Sequence, residues 1–62
     1  MNGADVIEKI GVSTDSYSDA IKKVLKDVGR ERRVNWFQVM EQRGRVSSDG
    51  EIEFQVIVKM GV

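Results

Sequence analysis

Strict alternation in the last stretch of the chain limits what it can fold into. Ile52, Phe54, Val56, Val58 and Met60 are apolar, while Glu51, Glu53, Gln55 and Lys59 between them are polar. A period of two sends alternate side chains to opposite faces of a strand, so this segment rests one face on a core. Upstream lies VNWFQVMEQRGRV, and SSDG separates the two runs. Asp49-Gly50 suits a tight turn that needs positive φ. Residues 34–60 therefore read as a β-hairpin, with Trp36, the only tryptophan, in its first arm.

The preceding residues supply a helix and a further strand. Residues 5–12, DVIEKIGV, read as a short strand of imperfect alternation, with Gly11 marking a bulge or bend near its end. Residues 1–4 read as a loose start. Ser16 followed by Asp19 resembles a capping box with a carboxylate at the third position. Tyr17, Ala20, Ile21, Val24, Leu25 and Val28 then fall on one helical stripe. Lys22, Lys23, Lys26, Asp27 and Arg30 fall on the other side. Cations at Arg30, Arg32 and Arg33 suit the negative end of the helix, which is expected to stop near Arg32 or Arg33.

Taking Asp49-Gly50 as a two-residue turn sets the hairpin register. Val39 then faces Met60, Glu41 faces Val58, Arg43 faces Val56 and Gly44 faces Gln55. Phe37 and Val39 share a face with Phe54, Val56, Val58 and Met60, which is the face for the helix to cover. The other face holds Val34, Trp36, Gln38, Met40 and Gln42 opposite Gln55, Ile57 and Lys59. One helix cannot cover both faces, and open apolar patches of this kind mark an interface. The expected fold class is α+β: β-α-β-β, a three-stranded antiparallel sheet curled around one helix.

Size bears on how such a fold is stabilised. The chain has 62 residues, read as one domain over 1–62. A chain this small buries only about 60% of the surface its unfolded form exposes. There is no cysteine for a disulfide and no histidine for the usual metal ligand or proton shuttle. Self-association is the remaining way to stabilise it. Ten basic residues balance ten acidic ones, so net charge points to neither nucleic acid nor membrane. No run approaches a membrane span and no signal-peptide pattern opens the chain, so the expected location is cytoplasmic.

Trp36 and Gln55 are the candidate binding residues. An indole offers a stacking face to a planar ring, although it also serves as a subunit anchor. A glutamine amide is both donor and acceptor and matches a lactam or uracil-like edge, although it is also an ordinary solvated strand residue. In the register above the two lie about 26 Å apart. A single ligand touching both therefore needs two subunits. Arg30, Arg32, Arg33, Arg43 and Arg45, with Trp36 and Phe37 among them, are the material of a single-strand nucleic-acid surface, diluted by Glu31, Glu41 and Glu53. Strict alternation puts Arg43 on the helix-covered face, so it reaches the open face only through a bulge near Gly44 or from a neighbouring chain. No acidic loop has calcium-site spacing, no phosphate-cradling glycine loop is present, and nothing singles out a catalytic pair.

The runs NWFQVMEQRGRV, SSDG and EFQVIVKMG resemble the hairpin of the dodecins, and VIEKIGVSTDSYSDAIKKVL resembles their first strand and helix. The resemblance covers nearly the whole chain. It implies a non-enzymatic flavoprotein in which twelve copies form a hollow shell. Flavins (riboflavin, FMN or FAD) are stacked in pairs between tryptophans of neighbouring subunits, stored and shielded from photochemistry. By the same resemblance Trp36 is the stacking residue, Gln55 reads the ring edge and Arg43 lies near the flavin tail. Some members also bind coenzyme A. Many continue past this glycine with an aromatic and an arginine, whereas this sequence ends at Val62, so phosphate contacts from such a tail are not expected. Relatives linked to ions lack the tryptophan. Two alternatives remain beside this reading: a ligand-free oligomeric scaffold and a single-stranded nucleic-acid-binding module.

Overall fold

The computed structural model describes residues 5–62, so the expected loose start over 1–4 lies outside the described residues. The element order is β1 (Val6–Ser13), α1 (Tyr17–Gly29), β2 (Trp36–Val46) and β3 (Ile52–Gly61). The three strands form one antiparallel sheet in the order β1-β3-β2. The alternating strand is thus the central one. The α+β, β-α-β-β expectation holds.

The helix begins as its sequence suggests, with one difference. Ser16 is the N-cap, and its hydroxyl accepts from the Asp19 amide at 2.9 Å. The Asp19 carboxylate does not return to the Ser16 amide, as a full capping box requires. It accepts instead from the hydroxyl of buried Ser13 at 2.6 Å and lies 3.3 Å from Lys23 Nζ. Ser13 in turn accepts from the amides of Asp15 and Ser16. Strand end and helix start are therefore tied by one hydroxyl. The helix stops at Gly29, earlier than the cationic run suggests. Beyond it the chain tightens: the Arg30 amide bonds the Asp27 carbonyl and the Glu31 amide bonds the Val28 carbonyl.

Ala20 and Val24 pack on Val56, Val58 and Met60 to form the buried core, with Tyr17, Ile21, Leu25 and Val28 around it. Tyr17 meets Phe54 edge-on at 5.0 Å between ring centres. Gly11 is no bulge. It sits within the regular β1–β3 ladder, and a Cβ there would overlap Val24 Cγ2 and the Ala20 carbonyl oxygen. The glycine is what lets the helix approach the sheet so closely. Val34, assigned by alternation to the open face, precedes β2 and packs against the core.

The hairpin register differs from the two-residue reading. The Ser47 amide donates to the Glu51 carbonyl at 2.9 Å, and the Gly50 amide donates to the Ser47 carbonyl at 3.0 Å. The loop thus has three residues, with Gly50 taking φ 86°. This is a turn followed by a left-handed glycine, and it shifts pairing by one residue. Arg43 faces Gln55 and Gly44 faces Phe54, in place of the expected Val56 and Gln55. A β-bulge between Val39 and Glu41 then adds one further residue to β2, so that Phe37 faces Met60 and Val39 faces Val58. Phe37 and Val39 keep the face they were expected to have. Gln42 lies opposite buried Val56, so it leaves the open face.

The helix covers β1 and β3 but not β2. Phe37, expected beneath it, is 47% exposed. The chain measures 49 × 20 × 14 Å with a radius of gyration of 13.0 Å. A compact chain of this length would have about 10–11 Å. One copy thus leaves the far side of the sheet and most of β2 unshielded. No helix among the described residues is long and apolar enough to cross a membrane.

Candidate functional site

Pairing fixes the membership of the face turned away from the helix. Val6, Ile10 and Val12 of β1 share it with Gln55 and Ile57 of β3. Trp36, Glu41 and Arg43 of β2 share it as well. Ile10 is 60% exposed and Trp36 43%. This is an apolar patch with a small set of polar groups, the composition of a ligand or subunit contact.

Trp36 is placed by its partner. It pairs with Gly61, and a Cβ on Gly61 would overlap the face of the indole at Nε1, Cε2 and Cδ1. The ring therefore lies down over the glycine backbone. Gly61 itself is held from both sides: its carbonyl accepts from Asn35, and the next residue exchanges two backbone bonds with Asp5. The platform is flat because this strand end carries no side chain. Gly61 has a role that alternation alone does not reveal, since a glycine near the end of an apolar run reads as a terminator.

The bulge decides where Arg43 goes. With one extra residue in β2, odd positions change face after Val39, and Arg43 arrives directly opposite Gln55. Its Nε donates to Gln55 Oε1 at 3.1 Å, and its Nη1 stands 3.8 Å from Glu41 Oε2. Gln55 Nε2 donates to Glu53 Oε1 at 2.9 Å. The expectation of Arg43 on the helix-covered face is corrected. A bulge does carry it to the open face, but at Met40, not near Gly44. Glu53 joins this group unannounced, because its place in the alternation marks only a polar strand residue.

Trp36 and Gln55 do not meet within one chain. Gly61, the partner of Trp36, is six residues from Gln55 along β3, or about 20 Å. What is available is a flat apolar ring at one end of the face and an oriented amide near the other. Among the described residues no three His, Cys, Asp or Glu side chains gather to hold a metal ion.

Comparison with known proteins identifies the fold family. The Dodecin family model matches residues 4–62. The chain belongs to the dodecin family. It is 32% identical over 56 residues to the dodecin of Thermus thermophilus, across 89% of this chain and 81% of that one. Among solved structures it superposes on the dodecin of Streptomyces coelicolor with a TM-score of 0.86 at 30% identity, covering 95% of this chain and 86% of that one. A calcium dodecin of Mycobacterium tuberculosis, described as having a novel calcium-binding site, aligns with a TM-score of 0.93 at 22% identity, covering 98% and 89%. At that identity the likeness speaks for the fold alone. The dodecin β-α-β-β chain is therefore the frame on which Trp36, Gln55 and Arg43 are presented.

Proposed function

We propose that this dodecin is a non-enzymatic flavin-binding protein that works as a homo-oligomer, the family's dodecamer. Flavin would be stored and shielded between copies of the uncovered sheet face. The observation that carries the reading is the indole of Trp36, laid flat over Gly61 and 43% exposed on the face that its own helix leaves open.

The residues present fit a flavin. An isoalloxazine is planar and polarizable, as is the indole face offered to it. Its pyrimidine edge alternates carbonyls with an N–H, and Gln55 has one donor and one acceptor site free after its two internal bonds. Trp36 and Gln55 are about 20 Å apart along one chain, so a ring in contact with both is shared by two copies. When bound, the flavin supplies a ring whose excited state an adjacent indole can quench by electron transfer. This role needs no acid, base or nucleophile. Arg43 has its Nε committed to Gln55 and Glu41 beside its Nη1, so a phosphate tail would compete with that carboxylate. We therefore take riboflavin as the ligand to test first, with FMN, FAD and coenzyme A second.

Size-exclusion chromatography with light scattering, run with riboflavin, tests this reading. Flavin absorbance should travel with protein at the mass of a dodecamer. A colourless oligomer that leaves added riboflavin free would favour the ligand-free scaffold. The exposed Val6, Ile10 and Phe37 would need that assembly with or without a ligand. A stable monomer would remove both readings.

A further inference from the structure

The Gln55 amide has two chemically different ends, and its neighbours tell them apart. Arg43 can only donate, and its Nε points at Gln55 Oε1 at 3.1 Å. The Glu53 carboxylate can only accept, and it takes a hydrogen bond from Gln55 Nε2 at 2.9 Å. Turning the amide by half a turn would set donor against donor and oxygen against oxygen. The orientation therefore follows from the chemistry of the two flanking groups. The backbone delivers both. Arg43 is the cross-strand partner of Gln55, brought there by the bulge at Met40, and Glu53 precedes Gln55 by two residues on the same face of β3.

We propose that Arg43 and Glu53 are positioning residues that lock the Gln55 amide in one orientation, so that it selects ring edges carrying an N–H beside a carbonyl. The proposal deepens the flavin reading and rests on it. With one N–H given to Glu53 and one lone pair given to Arg43, the amide keeps one N–H and one lone pair. A lactam or imide edge completes both. An edge whose N–H has been replaced by N–CH₃ leaves the lone pair without a donor. Arg43 then acts through Gln55 as well as by any contact of its own, and Glu53 acts only through Gln55.

The experiment compares riboflavin with 3-methylriboflavin, which keeps the stacking ring and loses the N–H. Wild-type oligomer should prefer riboflavin by about tenfold, the scale of leaving one polar group unpaired in a closed site. Glu53→Ala, and independently Arg43→Met, should still bind both ligands through Trp36 but cut the preference to roughly threefold or less. Glu53→Gln, whose carbonyl can still accept, should restore most of it. A purely structural role for either residue would weaken both ligands alike and leave the ratio unchanged. An unchanged ratio in Glu53→Ala or in Arg43→Met, with riboflavin still bound, overturns the proposal and leaves the flavin reading standing. Failure of the wild type to bind riboflavin at all sinks the flavin reading and this proposal with it.

Discussion

The indole of Trp36 occupies the space that a side chain on Gly61 would need. Gly61→Ala should therefore push the ring off the sheet instead of being absorbed quietly. Overpacking of this kind costs about 1–3 kcal/mol if the neighbours hold their places. The ring is the part free to move, so the expected result is a modest loss of stability. A roughly tenfold loss of riboflavin affinity, about 1.4 kcal/mol, should accompany it. Tryptophan emission should shift as the ring lifts, which can be read without any flavin. Unaltered emission and affinity would mean that the glycine does not shape the platform.

Deleting Met40 is a sharper test of the sheet. The bulge residue is what lets Trp36 and Arg43 lie on one face although their numbers differ in parity. With it gone, Val39 opposite Val58 is followed directly by Glu41 opposite Ile57, so the ladder becomes regular and Trp36 and Arg43 keep their shared face. The protein should still fold, because the core lies under β1 and β3. Flavin quenching should therefore stay near the wild-type level, because the pairs on both sides of the bulge are kept. Quenching lost to the level of a tryptophan-free variant, in a folded oligomer, would contradict this register.

Acid sensitivity should trace to the junction of β1 and α1. The Ser13 hydroxyl, and after it Lys23, hold the Asp19 carboxyl below its ordinary value of 3.8. A carboxyl whose pKa is lowered on folding stabilises the fold fully above the unfolded value. That contribution disappears as pH falls through the lowered value. Denaturant midpoints should thus be flat above about pH 5 and decline below about pH 4. In Ser13→Ala and Asp19→Asn the decline should be shallower and the plateau lower. Asp49, held down mainly by the Ser47 hydroxyl, adds a second acid contribution at the hairpin loop. An equally steep acid limb in the Asp19→Asn and Asp49→Asn double variant would contradict this assignment.

The elements were legible in the sequence wherever a local signal sufficed. The apolar stripe from Tyr17 to Val28, the cap at Ser16 and the alternation of β3 each depend on a few neighbouring residues, and each appears as read. The register was not. Asp49-Gly50 serves a two-residue and a three-residue loop equally well, and only the positive φ of Gly50 after a turn from Ser47 separates them. The bulge at Met40 carries neither glycine nor proline, so alternation ran straight through it and sent Arg43 to the wrong face. The pairing of Arg43, Gln55 and Glu53 depends on both shifts and was hidden with them. Trp36 was found by its rarity and by the family resemblance, but its flat pose depends on a glycine 25 positions later.

The most direct test is a riboflavin fluorescence titration of wild type and Trp36→Ala, with the mass of each followed by light scattering. The account predicts assemblies of equal mass, saturable quenching by the wild type and almost none by the variant. Quenching by Trp36→Ala as strong as that of the wild type would contradict it.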